Sequence, residues 1–140
     1  MPGAPDQEFD MIDVRDIAEW SLRMVESDHT GIHNAGGLPS HETIESVLRS
    51  CKSVSRSNSS WKYVTAEFLK AHDIAGSTVN AWYIDDDDEC FRYIWDVDYA
   101  EAIASGLTFR PLSETIRATL EWVSTLPPDW HWKVGLKPEV

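Results

Sequence analysis

The chain has 140 residues, with 12 Lys and Arg against 24 Asp and Glu, and a formal net charge of −12 at pH 7. That length fits one domain, 1–140, able to bury roughly 65–70% of its unfolded surface. Two cysteines, Cys51 and Cys90, exclude a disulfide scaffold and a CxxC zinc or redox pair, and the surplus acid, which repels phosphate backbones at long range, excludes nonspecific nucleic-acid binding.

Residues 1–8 are polar and Pro-containing and read as a lead-in, without the marks of a signal peptide. Phe9 to Val14 alternates well enough for a short strand. A helix follows from Arg15 to Ser27, with Val14, Ile17, Ala18, Ser21 and Val25 at helical spacing as its apolar stripe. Thr30-Gly31 turns the chain into a short strand, Ile32 to Ala35, ended by Gly36-Gly37. Ser40 is the expected N-cap of the next helix. In that helix Ile44, Val47, Leu48, Cys51 and Val54 recur at i, i+3, i+4, i+7 and i+10, the clearest amphipathic pattern in the chain. A Ser-rich loop covers 53–60. Trp61 to Val64 reads as a strand, and Thr65 caps a short helix through Ala71. Val79 to Ile84 and Phe91 to Trp95 are aromatic-rich extended segments flanking the acidic run Asp85 to Glu89. Asp98 to Ser105 is a short helix closed by Gly106, Leu107 to Phe109 a strand fragment, and Ser113 to Thr125 a final amphipathic helix. Core 9–125 and a tail 126–140 complete the expected organisation. The fold class is α+β, a small domain of about four helices with short strands. No apolar run approaches the ~20 residues of a membrane span, so no membrane partner and a cytoplasmic location are expected.

The segments IDVRDIAEW, TGIHNAGG, WKYVTAEFL and DVDYAEAIASGLTFRPLSETIRATLEW, in this order, resemble the carboxyl-terminal, substrate-binding part of the NAD-dependent epimerase/dehydratase family, the extended short-chain dehydrogenase/reductases. The resemblance spans about Phe9 to Trp122. It implies a substrate lobe without a complete Rossmann core. Two family features are missing. Gly36-Gly37 opens no βαβ unit of the kind that seats a dinucleotide. The catalytic Tyr-x-x-x-Lys is absent too, since the residues four after Tyr63, Tyr83, Tyr93 and Tyr99 are Glu67, Asp87, Val97 and Ile103. No cofactor is therefore expected, and the chain is not a self-contained NAD(P) oxidoreductase. In family members that bind sugar nucleotides, the stretch matching Asp85 to Tyr93 approaches the diphosphate. Here Arg92 and Tyr93 follow five acids, which would repel one.

The run 85–89 lacks the spacing and glycine of an EF-hand and reads as a solvated loop. His29 and His33 would make a metal pair only on a helix, and Gly31 lies between them, so no metal site is expected. Asp13, Arg15 and Asp16 read as an architectural strand-to-helix junction. His33, beside Asn34 at a strand end, is the candidate general base. The aromatic wealth is the most distinctive feature, with 11% aromatic residues and seven Trp. Alternation puts Trp61 and Tyr63 on one face, and Phe91, Tyr93 and Trp95 on another. Such residues line small-molecule pockets as well as cores.

The function expected from these features is a cofactor-independent isomerase, cyclase or lyase acting on a neutral, largely apolar metabolite, plausibly in secondary metabolism. His33 and Tyr93 would be catalytic, with Trp61, Tyr63, Trp82, Tyr83, Arg92 and Trp95 binding the substrate. The alternatives are the substrate half of a split NAD(P)-dependent enzyme, docking onto a dinucleotide-binding chain, and a non-catalytic binding module or remnant. The apolar face left by a missing cofactor domain would be covered by Trp130 and Trp132 or by a homodimer.

Overall fold

A computed structural model describes residues 1, 3–37, 42–72, 74 and 96–131. The expected segments 79–84, 85–89 and 91–95, Ser40 and Trp132 lie outside the described residues, and the helix expected to be capped by Ser40 is capped by Thr43 instead. The described part is mostly helical. In chain order it holds β1 (Glu8–Phe9), α1 (Val14–Glu26), β2 (Glu42–Thr43), α2 (Ile44–Ser55), α3 (Ala66–Ala71), α4 (Ala100–Ala104) and α5 (Leu112–Ser124). β1 and β2 form a two-residue antiparallel pair, Glu8 opposite Thr43 and Phe9 opposite Glu42.

α1 begins where Asp13 accepts the Arg15 backbone N–H at 2.9 Å, a side-chain N-cap. Its buried face is not the apolar stripe the spacing suggests. Val14 and Val25 are 76% and 79% exposed, whereas Asp16 and Trp20 are 5% and 7% exposed. The reason is electrostatic. Arg110 donates to Asp16 from its backbone N–H at 3.0 Å and from Nε at 2.6 Å, which turns the acidic side of the helix inward. Trp20 then packs with Ala102 and Leu107, with Ile12, Met24, Ala35 and Phe109 around them, and its indole N–H donates to Ser105 Oγ at 3.2 Å.

α2 is capped by Thr43 and Ser46, whose hydroxyls each accept the other's backbone N–H, a complete capping box. The next free N–H groups, of Ile44 and Glu45, donate to the carbonyls of Gln7 and Pro5 at 3.1 and 3.0 Å. Pro5 and Gln7 are thus tied to the helix start, and the Met1 amino group donates to the Lys62 carbonyl at 2.6 Å. Ile44 is fully buried, and Val47, Leu48, Cys51 and Val54 are half-buried, in keeping with the expected stripe. α5 packs along α2.

The short apolar stretches read as strands mostly do not form ladders. Residues 10–13, 32–35 and 107–109 are irregular, and 61–64 makes a single bridge in which the Val64 N–H donates to the Met1 carbonyl at 2.8 Å. They plug the core or cross it instead: Leu107 is buried and Phe109 packs beside it. α4 ends with Gly106 at φ +95°, where the N–H of Gly106 bonds the Ile103 carbonyl and that of Leu107 the Ala102 carbonyl. That is a Schellman closure, and its usual apolar contact is Leu107 against Ala102. Thr65 caps α3 as its position suggests, accepting the Phe68 N–H at 3.3 Å.

Candidate functional site

Four of the chain's 12 Lys and Arg, and none of its 24 Asp and Glu, fall between Ser46 and Thr65. This local basic stretch stands out in a chain of net charge −12. The fold gathers part of it into a groove. Arg49, Lys52 and Ser53 on the later turns of α2 face Ser59, Ser60 and Trp61 across an open concavity of about 540 Å³.

The loop that forms the far wall is anchored to the helix end. Arg56 takes a left-handed conformation, φ 53°, and its N–H bonds back to the Ser53 carbonyl at 3.3 Å. A non-glycine residue there costs roughly 1–2 kcal/mol. The Ser57 N–H then reaches the Lys52 carbonyl at 3.2 Å, and Ser57 and Ser59 share a hydroxyl hydrogen bond. Lys52 Nζ donates to the Ser59 carbonyl at 2.7 Å and stands 5.7 Å from the Trp61 ring centroid, within cation–π range.

Glu45, one turn earlier on α2, orients the groove's walls. Its carboxylate accepts from Trp61 Nε1 at 3.2 Å, from the Tyr63 hydroxyl, and from Arg49 Nε at 2.6 Å. The phenol, the indole and the guanidinium together hold Glu45 below the usual carboxylate range. Burial, followed by the Glu45 charge, pushes the Tyr63 phenol up. Trp61 and Tyr63 therefore share one face, joined by a 3.1 Å bond from indole to phenol. Trp61 lines the groove, while Tyr63 is held against Glu45.

His33 lies elsewhere. Its ring meets Trp20 edge-on at 5.7 Å and His29 at 5.5 Å, and both ring nitrogens are buried without a hydrogen-bond partner. The histidine rings thus approach each other without a helix between them. Tyr93, Trp82, Tyr83, Arg92 and Trp95 lie outside the described residues. Among the described residues no three His, Cys, Asp or Glu side chains gather as a metal site, and no helix is long and apolar enough to cross a membrane.

Two other polar clusters are architectural. Asp13 accepts from Arg15 Nε at 2.9 Å, from Arg15 Nη2 at 2.6 Å and from Thr115 Oγ1 at 2.8 Å. The Arg15 hydrogen bond, reinforced by Thr115, holds the Asp13 carboxyl far below the usual range against the opposing effect of burial. The Tyr99 hydroxyl donates to Asp10, and burial followed by that carboxylate pushes the phenol well up. A Cβ at Gly37 would sit 2.4 Å from Asp10 Oδ1, and one at Gly36 3.2 Å from the Tyr99 ring. Close approach of this pair is what the glycines serve here.

The groove's signal was visible as an acid-free interval rather than as a motif. No protein-family model matches the chain, and no curated protein and no solved structure matches it either.

Proposed function

We propose that this chain is a small-molecule-binding domain whose ligand lies in the groove between the later turns of α2 and residues 59–61. The observation that carries this is the convergence of one indole, two cations and three serines on a concavity of about 540 Å³. That volume falls within the ~300–1,000 Å³ of small-molecule sites, and here one indole faces five polar side chains across an open concavity. The expected ligand shifts from the neutral metabolite suggested by composition toward one that can use cations. Calorimetric screening of small aromatic compounds against the wild type and Trp61→Ala tests it. Compounds that bind the wild type should lose at least tenfold in affinity in the variant, whereas equal binding to both would contradict the assignment.

A second function is favoured by one observation. His33 carries two buried ring nitrogens without partners, a costly arrangement that a bound molecule would relieve. This supports a cofactor-independent isomerase, cyclase or lyase, with His33 and Tyr93 exchanging protons with substrate. Full turnover in His33→Ala and Tyr93→Phe would remove it. The order of segments supports kinship with the substrate lobe of extended short-chain dehydrogenase/reductases. On that kinship a dinucleotide-binding partner chain or a second copy would cover the apolar surface around Val14 and Trp122, both exposed on the groove between α1 and α5.

A further inference from the structure

We infer that the groove recognises an oxyanion, carboxylate or phosphate, carried on a planar ring. This rests on the small-molecule reading above and specifies its substrate class. The charge distribution is the first support. Residues 46–65 carry four cations and no acid in a chain of net charge −12. At physiological salt the Debye length is about 8 Å, so distant carboxylates are screened while cations in contact with a bound group are not.

Geometry is the second support. Glu45, whose carboxylate contacts the groove residues Arg49 and Trp61, is already engaged by them and by Tyr63. Its bond to Arg49 uses Nε, and no described contact occupies the terminal guanidinium nitrogens, which suit an oxyanion's two oxygens. Lys52 gives one of its three donors to the Ser59 carbonyl, leaving two. Arg49 is 73% exposed, so its charge is available to a molecule arriving from solvent.

The third support is the position of the ring wall. Trp61 is pinned through its indole N–H to Glu45 and faces the same concavity as both cations. A ligand ring on the indole would therefore hold its acidic substituent beside Lys52 and Arg49. Ser53 and Ser60 also line the concavity, and a serine hydroxyl is able to donate to an oxyanion. The arrangement asks for ring and charge in one molecule.

Isothermal titration of the full chain with four probes tests this: adenosine 5′-monophosphate, indole-3-acetate, adenosine and inorganic phosphate. At least one of the first two should bind tenfold or more tighter than both adenosine and phosphate. The phosphate and carboxylate probes then decide which oxyanion is preferred. Arg49→Gln/Lys52→Gln should abolish that advantage with an unchanged circular dichroism spectrum, and raising salt should weaken binding. Adenosine binding as tightly as its monophosphate, through Trp61, would overturn the oxyanion assignment and leave the small-molecule site standing. Phosphate alone binding as tightly as the monophosphate would overturn the requirement for a ring. Failure of all four to bind would overturn the inference, while binding of other neutral aromatics lost in Trp61→Ala would still uphold the site.

Discussion

The Nε atoms of Arg110 and Arg49 each meet a carboxylate at the same separation in different surroundings. Arg110 Nε lies 2.6 Å from Asp16, and Arg49 Nε lies 2.6 Å from Glu45. The first is built into the junction of α1 with the segment before α5. There Asp16 also accepts a backbone N–H, Arg110 reaches Glu19 as well, and Asp13 is saturated by Arg15 and Thr115. The second lies on an open helix face, with its guanidinium mostly in water. Distance alone does not separate structure from recognition. Burial and the number of donors left over do, because a buried pair is costly to break and an exposed one contributes little to stability.

The contrast is sharpest on the acidic side of the buried junction. Asp16→Ala should lower unfolding free energy by about 3 kcal/mol, read from urea denaturation, because it leaves Arg110 without its main partner. A loss no larger than that of an ordinary surface substitution would break the comparison. Acid should act on the same region next. Asp13 has a folded pKa below its unfolded value, so its contribution is present above the ordinary aspartate value of about 3.9 and is lost as pH falls below it. The urea midpoint should therefore fall from pH 5 to pH 3, and less steeply in Asp13→Asn. Thr115→Val removes one hydrogen bond to Asp13 and should cost about 1 kcal/mol in the same assay. Arg49→Gln, at the exposed pair, should leave the urea midpoint at the wild-type value while weakening anion binding. A marked stability loss there would make the groove a structural feature like the junction.

The parts of this fold that could be read from residue order are those decided locally. α2 follows from the recurrence of Ile44, Val47, Leu48, Cys51 and Val54, and α3 from the Thr65 cap, since neither needs a distant partner to be recognised. The inward face of α1 could not be read in this way. It depends on Arg110, 94 residues from Asp16, and an apolar stripe of Val14 and Val25 outscored the acids that the ion pair turns inward. The strand fragments failed for another reason. Segments of three or four residues are too short for their periodicity to distinguish a ladder from a core-filling loop, and Leu107 to Phe109 is the latter. Alternation puts Trp61 and Tyr63 on one face, and in the structure Trp61 lines the groove while Tyr63 is held against Glu45. Arg49, Lys52 and Glu45 belong to no motif, and the mark of the interval from Ser46 to Thr65 is an absence of acids rather than a residue pattern.

Side-chain nitrogen resonances separate the two arginine environments in one titration. In ¹⁵N-labelled protein titrated with adenosine 5′-monophosphate and with indole-3-acetate, the Nε–H signals of Arg49 and the indole N–H of Trp61 should shift together and saturably with at least one probe. Those of Arg15 and Arg110 should stay fixed. Shifts at Arg15 or Arg110 with none at Arg49 and Trp61, or no saturable shift at any of the four, would contradict the assignment of the groove as the oxyanion site.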